Sequence, residues 1–207
     1  MNTIELNHSA VASVQRGGHE IPALSLEPVE HGVLATGKFV VEHYRDGKRI
    51  NEYHFPNGIT NQGKNALLDI MFHGSTQITT WYLGLIDSTG YTALAAGDTY
   101  ANINGSNGWD EFTDYTDTNN AASGTTRPVW TEGAASGQSI TNGTVVPYLI
   151  TGTGTVKGLF VVGGGTDAMD KSDAAGGGTL WATALFTNGD VPVLASDVLR
   201  VTYTVNA

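Results

Sequence analysis

The chain has 207 residues, and its 10 Lys and Arg stand against 20 Asp and Glu, a formal net charge of −10. This acidic balance argues against binding to DNA or RNA, whose phosphates need basic side chains to neutralise them. There is no Cys for a disulfide or a thiolate zinc site, no apolar run near the roughly 18 residues of a membrane span, and no signal-peptide pattern at the N-terminus.

Residues 1–32 show neither a helical nor a strand period. Pro22 and Pro28 disfavour helix in this stretch, and apolar residues are scattered through it. We expect an extended N-terminal arm, with a loose terminus as the alternative. The apolar residues expected to bind a neighbour or a partner are Ile4, Leu6, Val11, Val14, Ile21, Leu24 and Leu26.

Residues 33–207 are expected to form one β domain, which begins with a hairpin. Residues 33–44 and 50–55 have the composition of strands, and Asp46-Gly47 between them tolerates the positive φ of a tight turn. Pro56-Asn57-Gly58 is expected to end the second strand. In this register His43 would face Ile50 and His54 would face Phe39.

Residues 60–73 carry the only good helical pattern. Ala66, Leu67, Ile70 and Met71 follow the i, i+3, i+4 spacing of one buried face. Thr60 or Asn61 can cap the start, His73 falls in the last turn, and Gly74 suits the position after the helix. Because so short a helix is marginal alone in water, we expect this face to pack on the sheet.

The rest of the chain alternates strands with loops. Residues 198–205 show it best, since Leu199, Val201 and Tyr203 alternate with polar neighbours. The fold class expected is mainly β, an antiparallel sandwich of jelly-roll or immunoglobulin-like type with one short helix. The other expected strands are residues 78–87, 129–132, 137–141, 145–151, 155–162 and 179–186.

No catalytic, metal or cofactor site is predicted. The six His lack zinc-ligand spacing, and no Ser lies in a Gly-x-Ser-x-Gly elbow. Asp167, Asp170 and Asp173 share a Gly-rich loop that matches neither the EF-hand pattern nor the Gly-Gly-x-Gly-x-Asp repeat, so a mobile loop is expected and a bound cation stays open. Asp110 and Glu111 are strand neighbours that would point to opposite faces, which disfavours a glycosidase pair.

The tryptophans are divided between core and surface. Trp81 and Trp181 lie in strong strands and are expected in the core. Trp109 and Trp130 are candidates for an exposed aromatic surface, which could stack on a sugar or anchor an interface.

Several segments, taken in order, resemble a family of small virion structural proteins of tailed bacteriophages. The resemblance covers roughly residues 33–206, and the first 32 residues lie outside it. The matching pieces are residues 57–65 (NGITNQGKN), 67–72 (LLDIMF), 81–87 (WYLGLID), 98–99 (DT), 108–111 (GWDE), 127–130 (RPVW), 179–186 (TLWATALF) and 197–204 (DVLRVTYT).

The resemblance implies a non-enzymatic virion protein, assembled in the bacterial cytoplasm. The expected role is a capsid decoration or cement protein that binds the outer shell. Its partners would be the major capsid protein and copies of itself, in a symmetric oligomer such as a trimer. The alternatives are a tail or fibre component, including a head-fibre anchor, or a carbohydrate-binding module that uses Trp109 or Trp130. No nucleic acid, membrane or cofactor is expected.

Overall fold

The computed structural model describes residues 35–105, 108–118, 124–171 and 177–207, and the backbone of residues 15–16 and 19–20. The chain divides into two compact units, Met1–Val33 and Leu34–Ala207. In the first unit, strands β1 (Gln15–Arg16) and β2 (His19–Glu20) pair antiparallel. The seven apolar arm residues predicted to bind a partner lie outside the described residues, so their role stays a prediction.

The second unit is mainly antiparallel β, with a single α-helix among its described residues, α1 (Asn61–Phe72). A short 3-10 turn covers Tyr100–Asn102. The strands are β3 (Thr36–Arg45), β4 (Lys48–Ile59), β5 (Trp81–Asp87), β6 (Glu111–Phe112), β7 (Tyr115–Asp117), β8 (Val129–Trp130), β9 (Ser139–Thr141), β10 (Val146–Ile150), β11 (Gly154–Gly163), β12 (Thr179–Leu185), β13 (Val191–Val193) and β14 (Val198–Asn206).

These twelve strands form one sheet that curls into a nearly closed, sandwich-like barrel. The order is β6-β5-β11-β12-β4-β3-β14-β10-β7, with β13 on β11, β8 on β5 and β9 on β14. The β8 and β9 ends of the sheet are linked, because Gly133, which follows β8, donates its N–H to the carbonyl of Thr141 in β9 at 2.8 Å. The predicted class, mainly antiparallel β with one short helix, is confirmed.

The first hairpin has the predicted turn but a longer second strand. Asp46 and Gly47 both have positive φ, 51° and 73°. The expected end at residues 56–58 is wrong, because β4 leaves β3 there and continues on β12, with Ile59 opposite Ala182. The predicted register is also wrong by one residue. A bulge between His43 and Tyr44 sets His43 opposite Asn51 and His54 opposite Val40.

The main core fills the inside of the barrel. Strands from all around the ring contribute to it, including Phe39 of β3, Leu83 of β5 and Leu159 of β11, all fully buried. The alternation predicted for β14 is confirmed, since Leu199 and Tyr203 are fully buried between more exposed neighbours. Each such side chain stabilises the fold by about 1.5–3 kcal/mol relative to an exposed one.

The helix begins as predicted but packs differently. Thr60 caps it, because its Oγ1 accepts the Gly63 N–H at 3.0 Å and donates to the Leu180 carbonyl. Gly63 is the one buried residue of α1, and a Cβ there would lie 2.6 Å from the Trp181 carbonyl oxygen. The buried face predicted further along is wrong, since Leu67 and Met71 are exposed and Ala66 and Ile70 half-buried. The first turn lies against β12 at Gly63, and the later turns line one side of an open groove whose other side is the sheet.

Candidate functional site

An apolar groove of about 500 Å³ opens between α1 and one end of the barrel. We call it the tryptophan groove, and its sheet side carries Trp81 (β5), Trp130 (β8), Trp181 (β12), Ile140 (β9) and Val205 (β14). Barrel mouths are common places for binding, because side chains from many strands converge there. The helix side is formed by Ala66, Leu67, Ile70 and Met71.

Two of the indole N–H groups are committed to the protein. Trp130 Nε1 donates to Asn142 Oδ1 at 2.8 Å, and Trp181 Nε1 donates to Tyr203 Oη at 2.9 Å. Tyr203 Oη accepts the bond from Trp181 and a second one from Asn57 Nδ2 at 2.8 Å, and burial raises the pKa of Tyr203 above its ordinary value, so the phenol stays neutral. Trp81 packs on Trp181 with ring centroids 5.9 Å apart. Because these two indole N–H groups are hydrogen-bonded within the protein, the surface that the groove exposes is mainly apolar.

A second apolar surface adjoins the groove on the helix. We call it the exposed α1 face, defined by Leu67, Leu68, Met71 and Phe72, whose exposed fractions are 37, 54, 65 and 81%. Positions i, i+1, i+4 and i+5 lie on one side of a helix, so the four side chains form one patch. Of the eight exposed large hydrophobic residues in the described parts of the chain, four lie here. Contiguous exposed apolar patches are found where proteins bind other proteins, membranes or ligands.

The surroundings of these two surfaces carry little charge, although the chain as a whole is acidic. Between residues 53 and 86 the only Asp, Glu, Lys or Arg are Lys64 and Asp69, and residues 133–156 contain none. Glu132 and Gln77 lie at the groove. Desolvating this region therefore costs little, because few ions lose their water.

The most deeply buried charges form a pair behind the loops. Arg127 donates through Nε to Glu111 Oε1 at 2.9 Å and through Nη2 to Oε2 at 2.8 Å, and both side chains are wholly buried. Burial opposes the charge of Arg127, but the bonds to Glu111 hold its pKa above the ordinary value. Tyr115 Oη also donates to Glu111, at 3.0 Å. As expected, Asp110 and Glu111 point apart, since Asp110 is exposed.

A second buried group ties the start of β14 to the first hairpin. Asp197 accepts from Arg45 at Oδ1 (Nε, 2.8 Å) and Oδ2 (Nη2, 2.7 Å), and His43 Nε2 lies 2.8 Å from Oδ2. The bond from Arg45 lowers the pKa of Asp197 well below its usual range. This group of three side chains lies next to a turn in which Ser196 has a φ of 78°. Sequence reasoning missed it, since the partners are more than 150 residues apart.

The predicted aromatic surface of Trp109 and Trp130 is not the one the structure presents. Trp109 is fully buried, with its ring 5.0 Å from that of Phe160 and its Nε1 3.4 Å from Asp98 Oδ2. Trp130 is only 6% exposed, although it lines the groove. Conversely, Trp81 and Trp181, expected in the core, are half-buried at the groove.

The Gly-rich acidic loop does not assemble a cation site in its described part. Thr166 Oγ1 donates to Asp167 Oδ2 at 2.7 Å, and the Asp170 N–H donates to the Asp167 carbonyl. Asp173 lies outside the described residues. Within the described ranges, no three His, Asp or Glu side chains are grouped so that they could hold a metal ion.

Comparison of the chain with protein-family models, curated proteins and solved structures found no match. In the described parts of the chain, no helix combines the length and the apolar character needed to cross a membrane.

Proposed function

We propose that this protein is a non-enzymatic structural protein of a tailed-bacteriophage virion, a capsid decoration or cement protein that binds the outer shell. The observation that carries the proposal is the exposed α1 face beside the tryptophan groove. A large apolar patch next to an apolar groove is costly in water, and proteins that bind other proteins retain such patches.

The contacts between the pieces that carry the resemblance support the same proposal. Residues 108–111 and 127–130 meet in the ion pair of Glu111 and Arg127. Residues 57–65 and 179–186 meet where Thr60 caps α1 against the Leu180 carbonyl. The matching pieces therefore mostly stabilise the fold, as we expect for a structural protein.

One matching piece does not fit this pattern. Residues 67–72 contain the whole exposed α1 face and bury none of their side chains completely. The resemblance thus includes a segment that the fold alone does not explain, and we assign its role to contact with another protein chain.

The test is the number of copies of this protein in purified particles from the cultures that produce it. Quantitative mass spectrometry against the major shell protein should give a number close to that of the shell subunits. A protein-specific antibody should label the head surface in electron micrographs.

Other results would contradict the proposal in distinct ways. A handful of copies with label on the tail would replace it by a tail or fibre component. Absence from particles, with quenching of tryptophan fluorescence by host glycans, would favour a carbohydrate-binding module at the groove.

A further inference from the structure

We propose that Asn188 is a site of spontaneous modification, at which the side-chain amide is lost and the residue becomes a mixture of aspartate and isoaspartate. Asn188 lies in residues 186–190, which connect β12 to β13. The inference goes beyond the proposed function and does not depend on it, because it concerns the chemistry of the chain itself.

The reaction needs the side-chain amide of Asn and the backbone nitrogen of the next residue. That N–H gives its proton to a base in the solvent, and the nitrogen forms a bond to Asn Cγ. The Cγ–Nδ2 bond breaks, and Nδ2 takes up a proton and leaves as ammonia. Water then opens the cyclic imide at either carbonyl, which gives aspartate or isoaspartate. Gly is the most permissive following residue, because it has no Cβ to obstruct the attack and its backbone turns freely.

The dipeptide alone does not select Asn188, because the chain contains five Asn-Gly pairs. They begin at Asn57, Asn104, Asn107, Asn142 and Asn188. At Asn188 both reacting groups are open to solvent, since residues 187–190 are all exposed. Neither the Asn188 side chain nor the Gly189 N–H has a hydrogen-bond partner among the described residues. Gly189 has a φ of 94°, and a Cβ there would meet no atom within 4 Å, so the backbone has room to move.

Asn142 is held in place on both sides of the reacting bond. Its Oδ1 accepts from Trp130 Nε1 at 2.8 Å and from the Tyr203 N–H at 2.7 Å. The following Gly143 N–H donates to the Thr131 carbonyl at 2.8 Å. Attack at this pair would have to break all three hydrogen bonds, so we expect it to be slow.

The pair at Asn57 is held by two neighbouring strands. Asn57 lies opposite Gly37 of β3, and Gly58 lies opposite Thr183 of β12. Asn57 Nδ2 also donates to Tyr203 Oη at 2.8 Å. The peptide that would have to turn for the attack is therefore fixed in the sheet.

The remaining two pairs lie in the loop before β6. Asn104 Oδ1 accepts the Glu111 N–H at 2.8 Å, which holds the side chain away from its own backbone. Asn107 lies outside the described residues, but the Gly108 that follows it is buried, and its N–H donates to the Gly105 carbonyl at 3.2 Å. Asn188 is therefore the pair at which no described contact opposes the reaction.

The position of Asn188 also lets the product form without loss of the fold. The Phe186 N–H donates to the Lys157 carbonyl at 3.1 Å, and Val191 lies opposite Val156, so both ends of the connection are anchored on β11. Isoaspartate lengthens the main chain by one carbon, within the exposed part of the connection. Each conversion adds one negative charge to a chain of net charge −10. The converted fraction should therefore record the age of a sample while the domain stays folded.

The experiment follows the full, folded chain in mildly alkaline buffer, with peptide mapping by mass spectrometry at intervals over several weeks. Asn188 should convert at least about tenfold faster than each of the other four, because hydrogen bonds or strand pairing must be broken at those pairs. The rate should rise about tenfold per pH unit, because the attacking nitrogen is deprotonated and its pKa lies far above the pH. Asn188→Gln is the matched control, since Gln would need a larger ring, and it should remove most of the ammonia release.

A sample unfolded in guanidinium separates the effect of the fold from that of the dipeptide. There the five pairs should convert at rates within about threefold of one another, because only residual structure protects them. The aged folded protein should melt within about 2 °C of fresh protein. Conversion of another pair as fast as Asn188 in the folded chain, the same preference in guanidinium, a rate independent of pH, or a larger fall in melting temperature would each overturn the proposal. None of these results depends on the number of copies in particles, so the two proposals fail separately.

Discussion

Replacing Arg127 by Met tests the buried ion pair that joins the loop after β7 to β6. The Arg127 side chain makes two hydrogen bonds to Glu111, one to the Ala168 carbonyl at 2.8 Å and one to Tyr100 Oη at 3.3 Å. Met is of similar length and apolar, so it fills much of the space. What the change removes is the cation opposite a carboxylate that is fully buried.

The expected loss is about 4 kcal/mol in the free energy of unfolding. Removing one partner of a buried ion pair costs about 3–5 kcal/mol, because the other charge keeps its desolvation penalty without the compensating attraction. For a domain whose total stability is about 5–15 kcal/mol, the variant should fold but with a small margin. A slope of about 2.5 kcal/mol/M in urea converts the loss to a midpoint shift of roughly 1.6 M.

The assay is urea unfolding followed by tryptophan fluorescence, with two further variants. Adding Glu111→Gln to Arg127→Met should recover about 2 kcal/mol, because the buried charge is gone and Tyr115 Oη keeps an acceptor. Arg49→Met is the matched control, since Arg49 is half-exposed in its pair with Glu52, and it should cost less than about 1 kcal/mol. A loss below about 1 kcal/mol for Arg127→Met, or no recovery in the double variant, would refute the reasoning.

Three further predictions concern the second buried group, the helix and the arm. Asp197→Asn should cost about 2 kcal/mol at pH 7. Because the folded state lowers the pKa of Asp197, the advantage of wild type is complete above the unfolded pKa of about 3.9 and should shrink as pH falls below it, which urea titrations at pH 2–7 would show. Gly63→Ala should lower the melting temperature by about 5 °C in calorimetry, because a Cβ would lie 2.6 Å from the Trp181 carbonyl, whereas Gly97→Ala, with open space around it, should not. Deleting residues 2–30 should abolish binding to particles and leave the melting temperature unchanged, and retained binding would argue against a role for the arm.

Local chemistry explains what the sequence predicted well. The Asp46-Gly47 turn needs only two residues that tolerate positive φ, and the cap of α1 needs only the Thr60 hydroxyl three residues before the Gly63 N–H. The alternation in β14 follows from the pleat of a strand with one face in the core. Each of these signals is complete within a short window of sequence.

Burial of the tryptophans could not be predicted in the same way, because it depends on what the rest of the chain supplies. Trp109 lies in an acidic, loop-rich stretch, yet its ring packs on Phe160 of β11 and its Nε1 lies near Asp98 of the same stretch. Trp81 and Trp181 lie in strong strands, yet both fall at the end of the barrel, where the core opens into the groove. Whether a tryptophan is buried depends on how far along its strand it lies within the nearly closed sheet. The alternation of apolar and polar residues gives no information about that position.

In α1, the apolar stripe in the sequence and the burial in the structure differ. An i, i+3, i+4 stripe records that a face avoids water, and it does not record whether the cover is the same chain or another one. In α1, Gly63 is buried against the Trp181 carbonyl within the first turn, whereas Leu68, Met71 and Phe72 are mostly exposed. The proposed contact with another protein chain would explain their apolar character. The stripe that predicted a buried face was therefore wrong for Leu67 and Met71, and Leu68 and Phe72, which are exposed beside them, lie outside that stripe.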